Sequence, residues 1–191
     1  MKKARKTQTI KIPNNVEVFF NKQAKIILFR SFAGQKLLKI DNQLKLYKKK
    51  QQIEVTTENV EKISNSNKKK IQLIQKTTAS FIKQLIVETT ALTYKKLILV
   101  GVGYRAIPVE NFEDRLLLLK LGYSHPIYFK TPKKTKIISL KFTKLFLSSY
   151  SFQKLTSVAA KIRLNKRPEP YKGKGILYEN EKIVLKEGKK I

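Results

Sequence analysis

The sequence predicts an α+β chain of two similar tandem domains. Each is a small antiparallel sheet packed against one helix, and basic extensions flank the pair. Three observations carry this. Short apolar runs recur at strand spacing in both halves. Each half closes on one stretch whose apolar residues fall at helical spacing. The chain has 191 residues and 41% hydrophobic content, enough to bury a core in each half. The expected boundaries are 1–11 for a basic N-terminal arm, 12–92 for the first domain, 93–165 for the second, and 166–191 for a basic strap and tail.

In the first half, Val16, Val18 and Phe20 alternate with Glu17 and Phe19, the pattern of a half-buried strand. Ala24–Phe29 is a second apolar run, and Ser31–Gln35, with Gly34, is a turn. Lys36–Ile40 and Leu44–Tyr47 flank a turn at Asp41 and Asn42, and Ile53 with Val55 makes a last strand. The polar cluster Ser64–Asn67 offers a helix N-cap. A helix follows from Lys68 to about Val87, with Ile71, Ile74, Thr78, Ile82 and Leu85 as its apolar stripe. Lys68, Lys69 and Lys70 oppose the dipole of a helix that begins beside them, which argues for a start after them.

The second half repeats the order. Lys95–Arg105 reads as one strand, Glu110–Asp114 as an acidic turn, and Arg115–Leu121 as a largely buried strand ended by Gly122. Ile127–Phe129, Lys136–Leu140 and Lys144–Leu147 are further strands. Ser149 or Ser151 then caps a helix with Phe152, Leu155, Val158, Ala159 and Ile162 on one face. The shared order suggests an old duplication.

The net charge is +29, which disfavours a compact state unless a polyanion neutralises it. Of the 42 basic residues, 36 are Lys and 6 are Arg. Lys is a point charge suited to phosphate, whereas Arg favours forked contacts to base edges. The bias points to backbone binding. With no Cys and His125 alone, disulfides, thiolate sites and His-pair metal sites are excluded. The acids are scattered, without the pairing that glycosidic or metal chemistry needs. His125 has no acid near it in sequence and reads as a turn or packing residue. No cofactor and no catalytic residue is expected. The longest apolar run, Leu97–Tyr104, is too short to span a bilayer. No stretch has the face of a membrane-surface helix.

One alternative function stands on Gly101, Gly103 and Ala106, which satisfy GxGxxA after a strand. That would make a nucleotide-binding protein or enzyme, provided a helix begins there to receive the pyrophosphate. Pro108 and the acidic turn speak against such a helix. The bland reading is a pair of glycines in a crowded sheet.

The stretch Lys161–Gly175, KIRLNKRPEPYKGKG, is the strongest candidate site. Its cations are Lys161, Arg163, Lys166, Arg167, Lys172 and Lys174. Pro168 and Pro170 stiffen it toward extended geometry, Tyr171 adds an aromatic, and Gly173 and Gly175 allow close approach of a partner. Lys182, Lys186, Lys189 and Lys190 continue the basic surface. The stretch reads as a stiff strap for a sugar-phosphate backbone.

The runs LVGVGYRA (Leu99–Ala106), LGYSHP (Leu121–Pro126), VAAKIR (Val158–Arg163) and PEPYKGKG (Pro168–Gly175), with Tyr178, Glu181 and KEGKK (Lys186–Lys190), resemble the bacterial-type ribosomal protein L6 family of the large subunit. IPNNVEV (Ile12–Val18) resembles the family's opening strand. The resemblance implies two similar α+β domains and a structural, non-catalytic protein. It implies binding to large-subunit rRNA near the sarcin–ricin loop, beside the docking site of translational GTPases. The second domain and tail would make most contacts, with neighbouring ribosomal proteins as further partners and no homo-oligomer. The match begins within about ten residues of Met1, which implies no room for a removed presequence. Together with an AT-rich residue profile, this favours a mitochondrial ribosome, with a plastid or bacterial one as the alternative.

Overall fold

The computed structural model describes residues 7–21, 23–57, 64–109 and 115–188. The chain divides into two compact units, Met1–Ala91 and Leu92–Ile191.

The first unit contains β1 (Gln8–Lys11), β2 (Glu17–Asn21), β3 (Ile26–Ser31), β4 (Gly34–Lys39), β5 (Leu44–Lys49), β6 (Gln52–Thr57) and α1 (Asn65–Thr90). Its strands form two antiparallel sheets, β1-β6-β5 and β2-β3-β4. The alternation read from sequence is what fixes their inner faces. Val18, Ile27, Phe29, Ile53 and Val55 are all buried there with Ile82 and Ile86 of α1. Gln8–Lys11, expected in the arm, pairs with β6 in the register Ile10↔Ile53. Ile10 is buried, and one inward apolar residue is enough to seat so short a strand.

Helix α1 begins at Asn65, before the three lysines and not after them. The early start answers the dipole conflict another way. Ser64 is the N-cap, so Lys68–Lys70 fall in the second turn, and the Lys68 N–H is already bonded to the Ser64 carbonyl. The buried stripe is Ile71, Gln75, Ala79, Ile82 and Ile86, with Ile74 and Leu85 on its flank. Gln75 is tolerated inside because its amide nitrogen donates to the Val55 carbonyl at 2.7 Å. Glu88, only 4% exposed, meets the Lys36 ammonium at 3.1 Å and accepts a hydrogen bond from Gln84.

The second unit contains β7 (Thr93–Val100), β8 (Arg105–Val109), β9 (Leu116–Lys120), β10 (Ile127–Lys130), β11 (Thr135–Leu140), β12 (Lys144–Ser149), α2 (Phe152–Leu164) and β13 (Gly175–Tyr178). Its sheets are β10-β9-β8 and β11-β12-β7-β13, both antiparallel. The plan repeats that of the first unit. In each, the first strand pairs with the strand before the helix, and the next three form a sheet of their own.

Three details differ from the sequence expectation. The run Lys95–Arg105 is strand only as far as Val100; a turn closed by the Tyr104 N–H on the Gly101 carbonyl ends it, and an unexpected strand, β8, starts at Arg105. Phe152 is 40% exposed, while Leu155, Val158, Ala159 and Ile162 form the buried face of α2. The region after 165, expected as a separate strap and tail, contributes β13 to the core sheet, with Ile176 at 0% exposure. The acidic turn Glu110–Asp114 lies outside the described residues. Among the described residues no helix is long and apolar enough to cross a membrane.

Candidate nucleic-acid interface

The strap is tied at both ends to the second core. Helix α2 leads into it, and Ile162 holds that helix to the sheet. At the far end β13 runs antiparallel to β7, pairing Gly175 with Val100 and Ile176 with Leu99. The Ile176 N–H donates to the Lys166 carbonyl at 2.9 Å, closing the base of the loop.

Between these ties the strap is not extended. The Glu169 N–H donates to the Lys174 carbonyl at 2.9 Å, and the Gly173 N–H donates to the Glu169 carbonyl at 3.0 Å. The chain therefore doubles back through Pro170, Tyr171 and Lys172. Gly173 sits at φ +68°, the left-handed conformation that a tight reversal needs. The prolines leave no N–H unpaired in this turn, and Pro170 instead supplies a carbonyl to the Lys186 N–H at 2.9 Å. That bond lays the tail along the turn, with Leu185 against Gly173.

Gly175 has a different role from the one its sequence position suggested. It is buried, at φ +153°, and a Cβ there would stand 2.5 Å from the Pro168 Cα and 2.8 Å from the Arg167 carbonyl oxygen. The close approach it permits is to its own chain. Gly101 and Gly122 act likewise: a Cβ on either would meet the Tyr104 ring, at 2.8 and 3.1 Å. Strand β8 follows the Gly101–Gly103 turn where a dinucleotide site would need a helix.

The predicted cations divide by what they touch. The Arg163 guanidinium is committed to Glu181: its Nε donates to Oε2 at 3.2 Å, and a second nitrogen pairs with Oε1. The Tyr178 N–H also donates to Oε2, at 3.1 Å. The Arg163 hydrogen bonds hold the Glu181 carboxyl below its ordinary pKa against the opposing effect of burial, with help from the Tyr178 amide and the Arg163 charge. This fork ties the helix to the start of the tail. Lys166 lies over the Tyr123 ring at 4.4 Å from its centroid, and the Tyr123 hydroxyl donates to the Asn165 carbonyl at 3.0 Å. His125 is exposed in the same loop, its ring stacked on Tyr123 at 6.3 Å between centroids. Lys161 is exposed on α2, but two residues from Arg163 is more than half a helical turn, so it faces away from the Glu181 fork.

What the fold gathers at the turn is Arg167, Pro170, Tyr171, Lys172, Gly173 and Lys174, with Lys186 of the tail beside them; Lys182 is exposed earlier in the tail. Tyr171 is 54% exposed. Among the described residues no acid pairs with any of these cations. Lys189 and Lys190 lie outside the described residues. The arrangement is a rigid hairpin of backbone that presents free ammonium groups and one aromatic face, suited to phosphates and an unstacked base. Sequence reasoning missed the Tyr123 clamp. Its signal was there, an aromatic inside a Gly-Ser-Pro loop. Among the described residues no cluster of three or more His, Asp or Glu could hold a metal ion.

The sequence model of the family described as Ribosomal protein L6 matches residues 100–179. The chain is 37% identical over 184 residues to the large ribosomal subunit protein uL6 of Mycoplasmoides gallisepticum, covering 95% of this chain and 93% of that one. It is 34% identical over 182 residues to the uL6 protein of Persephonella marina, covering 95% and 94%. Over 95 residues, half of each chain, it is 50% identical to the uL6 protein of Chloroherpeton thalassium.

Proposed function

The chain belongs to the ribosomal protein L6 family, and on that premise we propose that it is a structural constituent of the large ribosomal subunit that holds rRNA by its second unit. The observation that carries the RNA contact is the closed turn Glu169–Lys174, whose backbone bonds gather Lys172 and Lys174 with Arg167 and Lys186, none of them ion-paired with an acid among the described residues. A protein of net charge +29 that displays unpaired ammonium groups on a closed backbone turn is matched to a phosphodiester backbone. Arg163 and Lys166 serve this surface indirectly, by anchoring the two ends of the turn. Gly175 belongs to the same support.

Within the subunit, our reading is that this surface lies near the sarcin–ricin loop, where translational GTPases dock and neighbouring ribosomal proteins stand; the family resemblance of the PEPYKGKG turn supports it. The protein supports assembly of that region and performs no catalysis of its own. The compartment is a separate matter. The relatives above are bacterial, and their similarity lends no support to the mitochondrial ribosome that the early start of the resemblance and the AT-rich profile favoured over a plastid or bacterial one.

Sedimentation tests the reading. The chain should travel with large subunits through a high-salt wash. Its affinity for the cognate rRNA fragment should fall steeply with salt, because each phosphate neutralised releases counterions. Loss of the chain from the subunit together with a salt-independent affinity would overturn the proposal.

A further inference from the structure

The second unit carries another basic surface, built from different elements. An open groove of about 500 Å³ lies between α2 and the turn that joins β10 to β11. Lys133 and Lys134 line one wall, and Lys154 and Lys161 line the other, with Ser157 between them. All four lysines are exposed, and among the described residues no acid pairs with any of them.

Both walls are held in place. The Thr135 N–H donates to the Pro132 carbonyl at 3.0 Å, and the Ser149 hydroxyl donates to the Lys134 carbonyl at 2.8 Å. Thr131 ties the turn to the residue just before β9 by donating its N–H to the Arg115 carbonyl at 2.7 Å. On the other wall, Lys154 and Lys161 are seven residues apart on a helix whose opposite side is buried. That is two turns, about 10 Å along the axis. Lys154 also stands in the first turn of α2, where no acidic residue and no side-chain cap offsets the helix dipole. Four unpaired lysines and a positive helix end converge on one trough.

Resting on the RNA-binding reading above, we propose that this groove grips a second stretch of RNA phosphodiester backbone, separate from the one held by the Glu169–Lys174 turn. Its chemistry is lysine on phosphate, so recognition follows backbone shape and not base sequence. The protein then bridges two rRNA segments, one on either side of α2.

The chain has no cysteine, so single cysteines are unique chemical handles. Full-length Lys154→Cys and Lys172→Cys variants, each carrying tethered Fe(II)–EDTA, are assembled into large subunits, and hydroxyl-radical cuts in the rRNA are mapped. Cuts from both positions at different rRNA segments are expected. Cuts from position 172 with none from 154, or with 154 cutting only a neighbouring protein, overturn the groove and spare the strap. No rRNA cuts from either overturn both readings. As a second measurement, the triple variant Lys133→Gln, Lys134→Gln, Lys154→Gln binds deproteinised large-subunit rRNA. Its slope of log affinity against log salt should be shallower by about 2 to 3, from about 0.7 to 0.9 per lost phosphate contact. An unchanged slope overturns the proposal.

Discussion

Replacing Gly175 with Ala separates a glycine that the fold needs from one that the partner needs. The added Cβ would lie 2.5 Å from the Pro168 Cα, 2.7 Å from the Pro168 nitrogen and 2.8 Å from the Arg167 carbonyl oxygen. All three are backbone atoms, so no side chain can rotate away. The residue also sits at φ +153°, where strain for an L-residue is of order 1–3 kcal/mol. Forcing a methyl into a packed site adds about 1–3 kcal/mol more. The second unit should therefore lose between about 2 and 6 kcal/mol, a drop in melting temperature of roughly 10 °C or more for about 100 residues. Thermal unfolding measures the loss, and hydrogen exchange of the Ile176 amide, bonded to the Lys166 carbonyl, locates it. Gly173→Ala is the control. At φ +68° its Cβ would meet only the Leu185 side chain, at 3.4 Å. Its strain of about 1–2 kcal/mol falls on the exposed turn. If both variants melt together, the crowding at Pro168 does not govern the strap.

Three further outcomes follow from the same geometry. Lys172→Ala with Lys174→Ala should leave unfolding unchanged and make the salt slope of rRNA binding shallower by roughly 1.4 to 1.8, measured by filter binding across a salt series. Glu181→Gln should destabilise the second unit at neutral pH. Because the folded carboxyl titrates below its ordinary value of about 4.5, the wild-type advantage is complete above that pH and fades as pH falls through the folded value. Urea denaturation of both proteins at pH 7 and near pH 3 checks the sign, and an advantage that grew toward acid would contradict the fork. Tyr123→Phe removes the hydrogen bond to the Asn165 carbonyl but keeps the ring under Lys166, so it should cost about 0.5–1.5 kcal/mol by the same method.

Much of the fold was legible because alternation and helical periodicity are local. The inward Val18, Phe29 and Val55 and the stripe Leu155, Val158, Ala159 and Ile162 stand where those patterns place them. The missed strands, β1, β8 and β13, are short. The partner of β13 is β7, more than seventy residues earlier, and nothing within GILY announces that pairing. The split of Lys95–Arg105 was written in Gly101 and Gly103, but a twisted strand and a tight turn ask for the same residue. At the site, charge was legible and occupancy was not. Arg163 looks as free as Lys172 in the sequence. Its acid lies eighteen residues on, and only the return of the chain through β13 brings the two together. Gly175 was legible as a need for space, without any sign of which atoms required it.

The division among the cations explains how so basic a chain can be both folded and receptive. Arg163 is fixed by Glu181, Lys96 by Glu179 and Lys36 by Glu88, and each pair joins parts of one unit that are distant in sequence. With 13 acids against 42 bases, most cations are left without such a partner. Lysines without acids raise the free energy of the isolated fold through mutual repulsion, and a polyanion that binds only the folded form returns that energy as stability. The side chains that hold the turn and those that face outward are thus different residues, interleaved a few positions apart. Weakening the first set removes the platform, whereas weakening the second leaves a sound fold with less reason to associate.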